Sequence, residues 1–208
     1  MFDLRLRTVK ERWLDPLVRV VARIASATTL TTLSLVAGLA SALTLATGSP
    51  LWVPFVLGVI NRLLDGIDGE VARVRGEQSD FGGYADMLAD VVTYAAVPIG
   101  LALRMNDPAV IFAMLGMLAA FYINITSWSY LSALLEKRKQ APGNERTSVS
   151  MPRGVIEGAE TMVLYAVLIL APAAVVTAAW IAVAACGVNV VWRLVWARRV
   201  LRDKEAAE

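Results

Sequence analysis

The sequence contains no histidine and only one cysteine. Without an imidazole, Ser-His-Asp and Cys-His catalysis are excluded, and so is every histidine-ligated zinc site. Cys186 has no second cysteine to pair with, so no intramolecular disulfide forms. Its place inside an apolar run reads as a small packing residue in a helix. Charge is also scarce: 18% of the 208 residues are charged, against about a quarter in ordinary soluble domains. The net charge of +2 is too small to mark nucleic acid as a partner. There is no internal repeat and no low-complexity segment.

What fills the chain is apolar: 57% of the residues are hydrophobic, and the charges cluster between long uncharged stretches. Apolar segments run over roughly 28–48, 51–72, 82–104, 108–135, 155–171 and 173–197. Each is near the ~20 residues that a helix needs to cross a bilayer. The pattern predicts an all-α membrane protein with six transmembrane helices. Gly48-Ser49-Pro50, Asn106-Asp107-Pro108 and Ala171-Pro172 read as tight turns on one side.

Residues 1–24 carry Arg5, Arg7, Lys10, Arg12, Arg19 and Arg23 among Leu6, Val9, Trp13, Leu14, Leu17 and Val21. No continuous apolar core and no small-residue cleavage site follow, so this is not a secretory signal. The segment reads as an amphipathic interfacial helix against anionic headgroups, with a plain solvated helix as the alternative. The expected layout is then a surface helix over 1–24, a six-helix transmembrane domain over 25–200 and a tail over 201–208.

Basic residues set the orientation. The three tight turns hold only Arg104, whereas the opposite side holds Arg73, Arg75, Lys137, Arg138, Lys139, Arg146, Arg153, Arg198, Arg199, Arg202 and Lys204. The positive-inside rule places both termini, and the region around 65–90, in the cytoplasm. The build is consistent with a bacterial inner membrane.

That region holds the densest chemistry. Asp65 and Asp68 are three apart and Asp86 and Asp90 four apart, so each pair shares one helical face. A short loop joins the two helices and brings the pairs opposite each other. Such carboxylates repel and are costly in a partly apolar setting, and Arg73 is the one base expected to compensate. Mg²⁺ or Mn²⁺ would resolve the conflict, because hard cations prefer carboxylate oxygens, and two ions could be held. Gly66, Gly69, Ala72, Gly82 and Gly83 leave room for a substrate beside the acids, although glycine in membrane helices also marks close helix contacts.

The stretch resembles the CDP-alcohol phosphatidyltransferase family. Asp65, Asp68, Gly69, Ala72, Arg73, Gly82, Asp86 and Asp90 fill every fixed position of its D-x-x-D-G-x-x-A-R-x8-G-x3-D-x3-D signature. The resemblance implies that Asp65, Asp68 and Asp86 ligate metal, with Asp90 near the metals and acting as general base. It implies that Gly69, Ala72, Arg73 and Gly82, with Asp68, shape the site for CDP. The family's P-N-x-x-T pattern survives here only as Thr31, so a nucleotide role for Thr31 rests on that single position. The donor would be CDP-diacylglycerol or a similar CDP-linked lipid, the acceptor a small alcohol, and the assembly a homodimer among membrane lipids.

The acceptor is not named by these residues. Glu157, Glu160 and Thr161 share one helical face beside Arg153, and either line an acceptor pocket or form an ordinary helix N-terminus. Arg153, Arg146 and residues 137–139 could bind a phosphorylated acceptor or simply lie at the membrane surface. Trp128, Trp180, Trp192 and Trp196 read as interface anchors or packing residues rather than a substrate cage. Two other functions compete. One reverses the substrates: a CDP-linked aminoalcohol with diacylglycerol as acceptor. The other is a divalent-cation transporter, although transport sites usually lie near the midplane on broken helices.

Overall fold

The computed structural model describes residues 16–139, 154 and 158–202, and among them every regular element is helical. A helix over 16–24 (α1) leads into α2 (Ala27–Ala46), α3 (Trp52–Arg75) and α4 (Asp80–Met105). Then come α5 (Pro108–Lys139), α6 (Gly158–Leu170), a 3₁₀ turn (Pro172–Ala174) and α7 (Val175–Arg202). Among the described residues, four helical stretches are long and apolar enough to cross a membrane: Ala27–Ala46, Asp80–Met105, Pro108–Arg138 and Pro172–Leu201. The third helix has 24 residues, but Arg62, Asp65, Asp68, Glu70, Arg73 and Arg75 interrupt its apolar run. The sixth has 13.

Local chemistry sets the helix ends. Ser26 caps α2 by accepting from the Thr29 amide at 3.2 Å. The third helix stops at Gly76, whose φ of 65° suits a residue without a Cβ. The Glu77 amide then donates back to Ala72. Asp107 accepts from the amides of Ala109 and Val110, capping α5 beside Pro108. The turns expected at 48–50, 106–108 and 171–172 are all found between helices.

The contacts group into two compact units, residues 1–105 and 106–208. In the first, α2 packs along both α3 and α4. Its seam with α4 depends on small residues. A Cβ on Gly100 would lie 2.5 Å from the Ala42 carbonyl oxygen, and one on Gly38 would lie 2.6 Å from Thr93. Ser41 donates to the Pro54 carbonyl at 2.7 Å. Ser34 and Asn61 exchange hydrogen bonds between α2 and α3. Val18 and Ala22 of α1 join Leu30, Ile67 and Val71 in one apolar cluster, leaving Leu17, Val20 and Ile24 exposed.

In the second unit α5 and α7 pack along each other around Met114, Met117, Val175 and Cys186. Trp180 packs one side against Phe112 and the bare Gly116 backbone, and like Trp128 and Trp192 it keeps an exposed side. The buried Arg193 donates to the backbone and side-chain oxygens of Asn124 at 3.1 and 3.2 Å. Arg138 donates to the Leu201 carbonyl near the end of α7.

Candidate active site

The aspartates lie where α3 ends and α4 begins. The Gly76 stop and the short 77–79 linker turn the chain back within a few residues. Ser79 then accepts from the Gly82 amide at 3.0 Å to start α4. Arg75 bridges this linker to its surroundings, donating to the Ala22 carbonyl at 2.6 Å and to Glu77 at 2.5 Å. The guanidinium of Arg75 holds the Glu77 carboxyl below the usual glutamate range.

A cavity of about 330 Å³ opens between α2, the end of α3 and the start of α4. Thr31, Asp68, Gly69, Ala72, Arg73 and Gly82 line it, as does Asp86. Every residue assigned by resemblance to the CDP site is therefore brought together. Thr31 Oγ1 donates to Asp68 Oδ2 at 2.6 Å and also lies 3.1 Å from the Ala27 carbonyl. One hydroxyl proton cannot serve both, and the shorter contact to a carboxylate is the stronger. Space over Gly69 and Gly83 is open, since a Cβ at either would meet nothing within 4 Å. Gly82 is different: a Cβ there would lie 3.1 Å from the Ser79 hydroxyl that caps its own helix.

Asp65 and Asp90 are absent from the cavity lining. Both are held by Arg62, a residue for which composition and motif assigned no role. Its Nη2 donates to Asp90 Oδ1 at 2.8 Å, and its Nη1 lies 3.5 Å from Asp65 Oδ2. The same guanidinium donates to Asn61 Oδ1 at 2.7 Å and to the Tyr94 hydroxyl at 3.1 Å, and sits 5.1 Å from the Tyr94 ring centroid. The base that compensates Asp65 and Asp90 is thus Arg62. Arg73, the residue expected to do so, forms an exposed ion pair with Glu70 one turn away. An arginine inside the otherwise uncharged 51–64 run, three residues before Asp65, was the available signal.

The four carboxylates are therefore divided, with Asp68 and Asp86 on the cavity and Asp65 and Asp90 on the guanidinium. Among the described residues, no three acidic or cysteine side chains stand close enough together to hold a metal ion. The donor chemistry still suits a hard divalent cation, because every candidate ligand is a carboxylate oxygen. Asp86 Oδ1 is buried and, among the described residues, has no hydrogen-bond partner, which suits a cation ligand. Of the acceptor-side residues, Arg153 and Glu157 lie outside the described residues. Glu160 is exposed at the first turn of α6, in the second unit.

A family model for CDP-alcohol phosphatidyltransferases matches residues 24–192. The inner membrane protein YnjF of Escherichia coli (strain K12) is 37% identical over 121 residues, which are 57% of this chain and 57% of that protein. This chain thus spans little more than half the length of that relative. Among solved structures, Mycobacterium tuberculosis phosphatidylinositol phosphate synthase (PgsA1) with CDP-DAG bound superposes with a TM-score of 0.67 at 27% identity. The match covers 88% of this chain and 92% of that one. The same synthase in complex with manganese and citrate gives a TM-score of 0.66 at 26% identity, over 86% of each chain.

Proposed function

The chain belongs to the CDP-alcohol phosphatidyltransferase family, and from that premise we propose that it transfers a phosphatidyl group from CDP-diacylglycerol, or a similar CDP-linked lipid, to an alcohol. The cavity carries this reading, because it gathers Thr31 with the glycines, Ala72, Arg73 and two aspartates of the signature. A related synthase with CDP-DAG bound superposes over most of the chain and supports the choice of donor.

In the proposed reaction the acceptor hydroxyl oxygen attacks the phosphorus next to the lipid. The bond from that phosphorus to the bridging diphosphate oxygen breaks, and CMP leaves. Asp90 takes the hydroxyl proton as general base. Asp65, Asp68, Asp86 and Asp90 would hold one or two Mg²⁺ or Mn²⁺ ions. Bound there, such ions neutralise the diphosphate and the charge that spreads over the transferred phosphoryl oxygens. Arg73, at the exposed end of the cavity, faces the diphosphate, and the open space over Gly69 lets the nucleotide approach the backbone. Thr31 orients Asp68 by its short hydrogen bond and reaches the nucleotide from the same wall.

The membrane arrangement follows the same reading. Residues 25–200 form the catalytic domain with six spans, of which α3 crosses with its charged end at the cytoplasmic surface and α6 is the fifth. The N-terminal helix lies in the interface, with Arg19 and Arg23 toward headgroups and Leu17, Val20 and Ile24 toward acyl chains. The termini, the tail over 201–208 and the cavity face the cytoplasm, and the working form is a homodimer. Arg153, Glu157 and Glu160 contribute to acceptor choice.

The test is CMP release from CDP-diacylglycerol by the purified protein with Mg²⁺ or Mn²⁺. The acceptor panel is serine, inositol phosphate, glycerol phosphate, inositol and glycerol. Metal-dependent release with one acceptor, lost in Asp90→Asn, is the expected result. Turnover only with CDP-choline and diacylglycerol would replace this reading with the reversed one.

A further inference from the structure

Arg62 is tied more firmly than an ordinary pairing within one helix would require. Its acidic partners come from two helices, Asp65 one turn along α3 and Asp90 on α4. Two neutral partners hold it from other directions, Asn61 at 2.7 Å through Nε and Tyr94 at 3.1 Å through Nη1. Asn61 is itself locked, donating to the Ser34 carbonyl and hydroxyl at 2.8 and 2.9 Å. The side chain is 15% exposed. A long flexible cation is thus held in a fixed position by four side chains drawn from two helices.

We infer that Arg62 is a positioning residue: a resident counter-cation that holds Asp65 and Asp90 together in the cation-free protein and competes with the divalent cation for them. This rests on the proposed reading of the four aspartates as cation ligands. Like-charged carboxylates on facing helices repel, and the helix ends would separate without a positive charge between them. The guanidinium supplies that charge whether or not an ion is present. Its cost is that two of the four carboxylates are already satisfied, which accounts for the division between Asp68 with Asp86 on the cavity and Asp65 with Asp90 behind it. A bound ion must then draw these oxygens away from Arg62, so the residue sets how tightly ions are held. A guanidinium cannot be deprotonated here, so the competition is permanent.

The test is Mn²⁺ binding to the purified full-length protein in detergent, followed by electron paramagnetic resonance without lipid substrate. Arg62→Gln should bind Mn²⁺ more tightly than the natural chain by roughly tenfold or more, the scale of one opposite charge beside a carboxylate. Arg62→Lys, which keeps the charge, should return affinity most of the way to the natural value. Tyr94→Phe frees one side of the guanidinium and should tighten binding about twofold to tenfold, the scale of one hydrogen bond. Unchanged or weaker binding in Arg62→Gln, while the natural protein binds Mn²⁺, would overturn this inference alone. If Arg62→Gln does not yield folded protein, unchanged affinity in Tyr94→Phe overturns it instead. Absence of Mn²⁺ binding to the natural protein would overturn both this inference and the cation reading it rests on.

Discussion

Each of the two units holds an arginine on an apolar stretch of helix whose side chain is largely buried, Arg62 and Arg193, and the two are satisfied differently. Arg62, in the first unit, meets two carboxylates, a side-chain amide and a tyrosine. Arg193, in the second, donates to the two oxygens of Asn124, and among the described residues it forms no ion pair. Both are long cations on helices that are otherwise largely apolar where they sit. The first balances charges that the proposed chemistry needs. The second fastens α7 to α5 through neutral oxygens. A buried arginine is thus informative through its partners. Only the one facing ionised groups should respond to a divalent ion.

That contrast can be broken in several ways. The largest effect should come from the carboxylate that Arg62 holds: Asp90→Asn should lower the rate of CMP release at least about a hundredfold, as loss of a general base does. Retained turnover would remove Asp90 from that role. Next, Arg62→Gln should destabilise the cation-free protein by about 3 kcal/mol, since it strands carboxylates that had a partner, with part of this lost to solvent screening. Millimolar Mn²⁺ should recover most of it in thermal unfolding, and a loss that ignores Mn²⁺ would make Arg62 merely structural. Gly100→Ala sharpens the fold side of the comparison, because its Cβ would meet the Ala42 carbonyl oxygen at 2.5 Å. Its melt should fall by about 2 kcal/mol, again independent of Mn²⁺.

Smaller effects should follow in the second unit and in the linker. Arg193→Gln should cost about 1 kcal/mol, the scale of a neutral hydrogen-bond rearrangement, and Mn²⁺ should not restore it. Dependence on Mn²⁺ there would erase the distinction between the two arginines. The smallest effect concerns Glu77, whose carboxyl Arg75 holds below its usual range. A depressed acidic group stabilises above its unfolded value of about 4.3 and loses that contribution as pH falls through the lower folded value. Melts taken downward from pH 6 should therefore show an acid-side loss that Glu77→Gln reduces.

Much of the site could be read before any coordinates. The spacing of Asp65, Asp68, Asp86 and Asp90 and the interleaved small residues pointed to one face on each of two helices. The cavity does gather Thr31, Asp68, Gly69, Ala72, Arg73, Gly82 and Asp86. The failure was in the charge balance. Arg73 is nearest to the acids along the motif, but one turn from Glu70 it finds a closer partner at the exposed helix end. Arg62 lies outside the motif, and nothing in its local pattern shows that α4 will bring Asp90 and Tyr94 against it.

Sequence alone determined the apolar segments, the turns between them, the helix stops at Gly76 and Asn106-Asp107-Pro108, and the identity of the acidic residues. All of these depend on properties carried within a few residues: hydropathy, φ preference, capping and periodicity. Tertiary structure alone decided which carboxylates face the cavity, which face Arg62, and that Thr31 donates to Asp68. Those outcomes depend on Cβ-to-Cβ approach between α2, α3 and α4, where Gly38 and Gly100 let backbones come close and Ser34 locks Asn61. Pairing of charges falls off steeply with distance, so a shift of a few ångströms between helices chooses the partner, and no linear pattern encodes that shift.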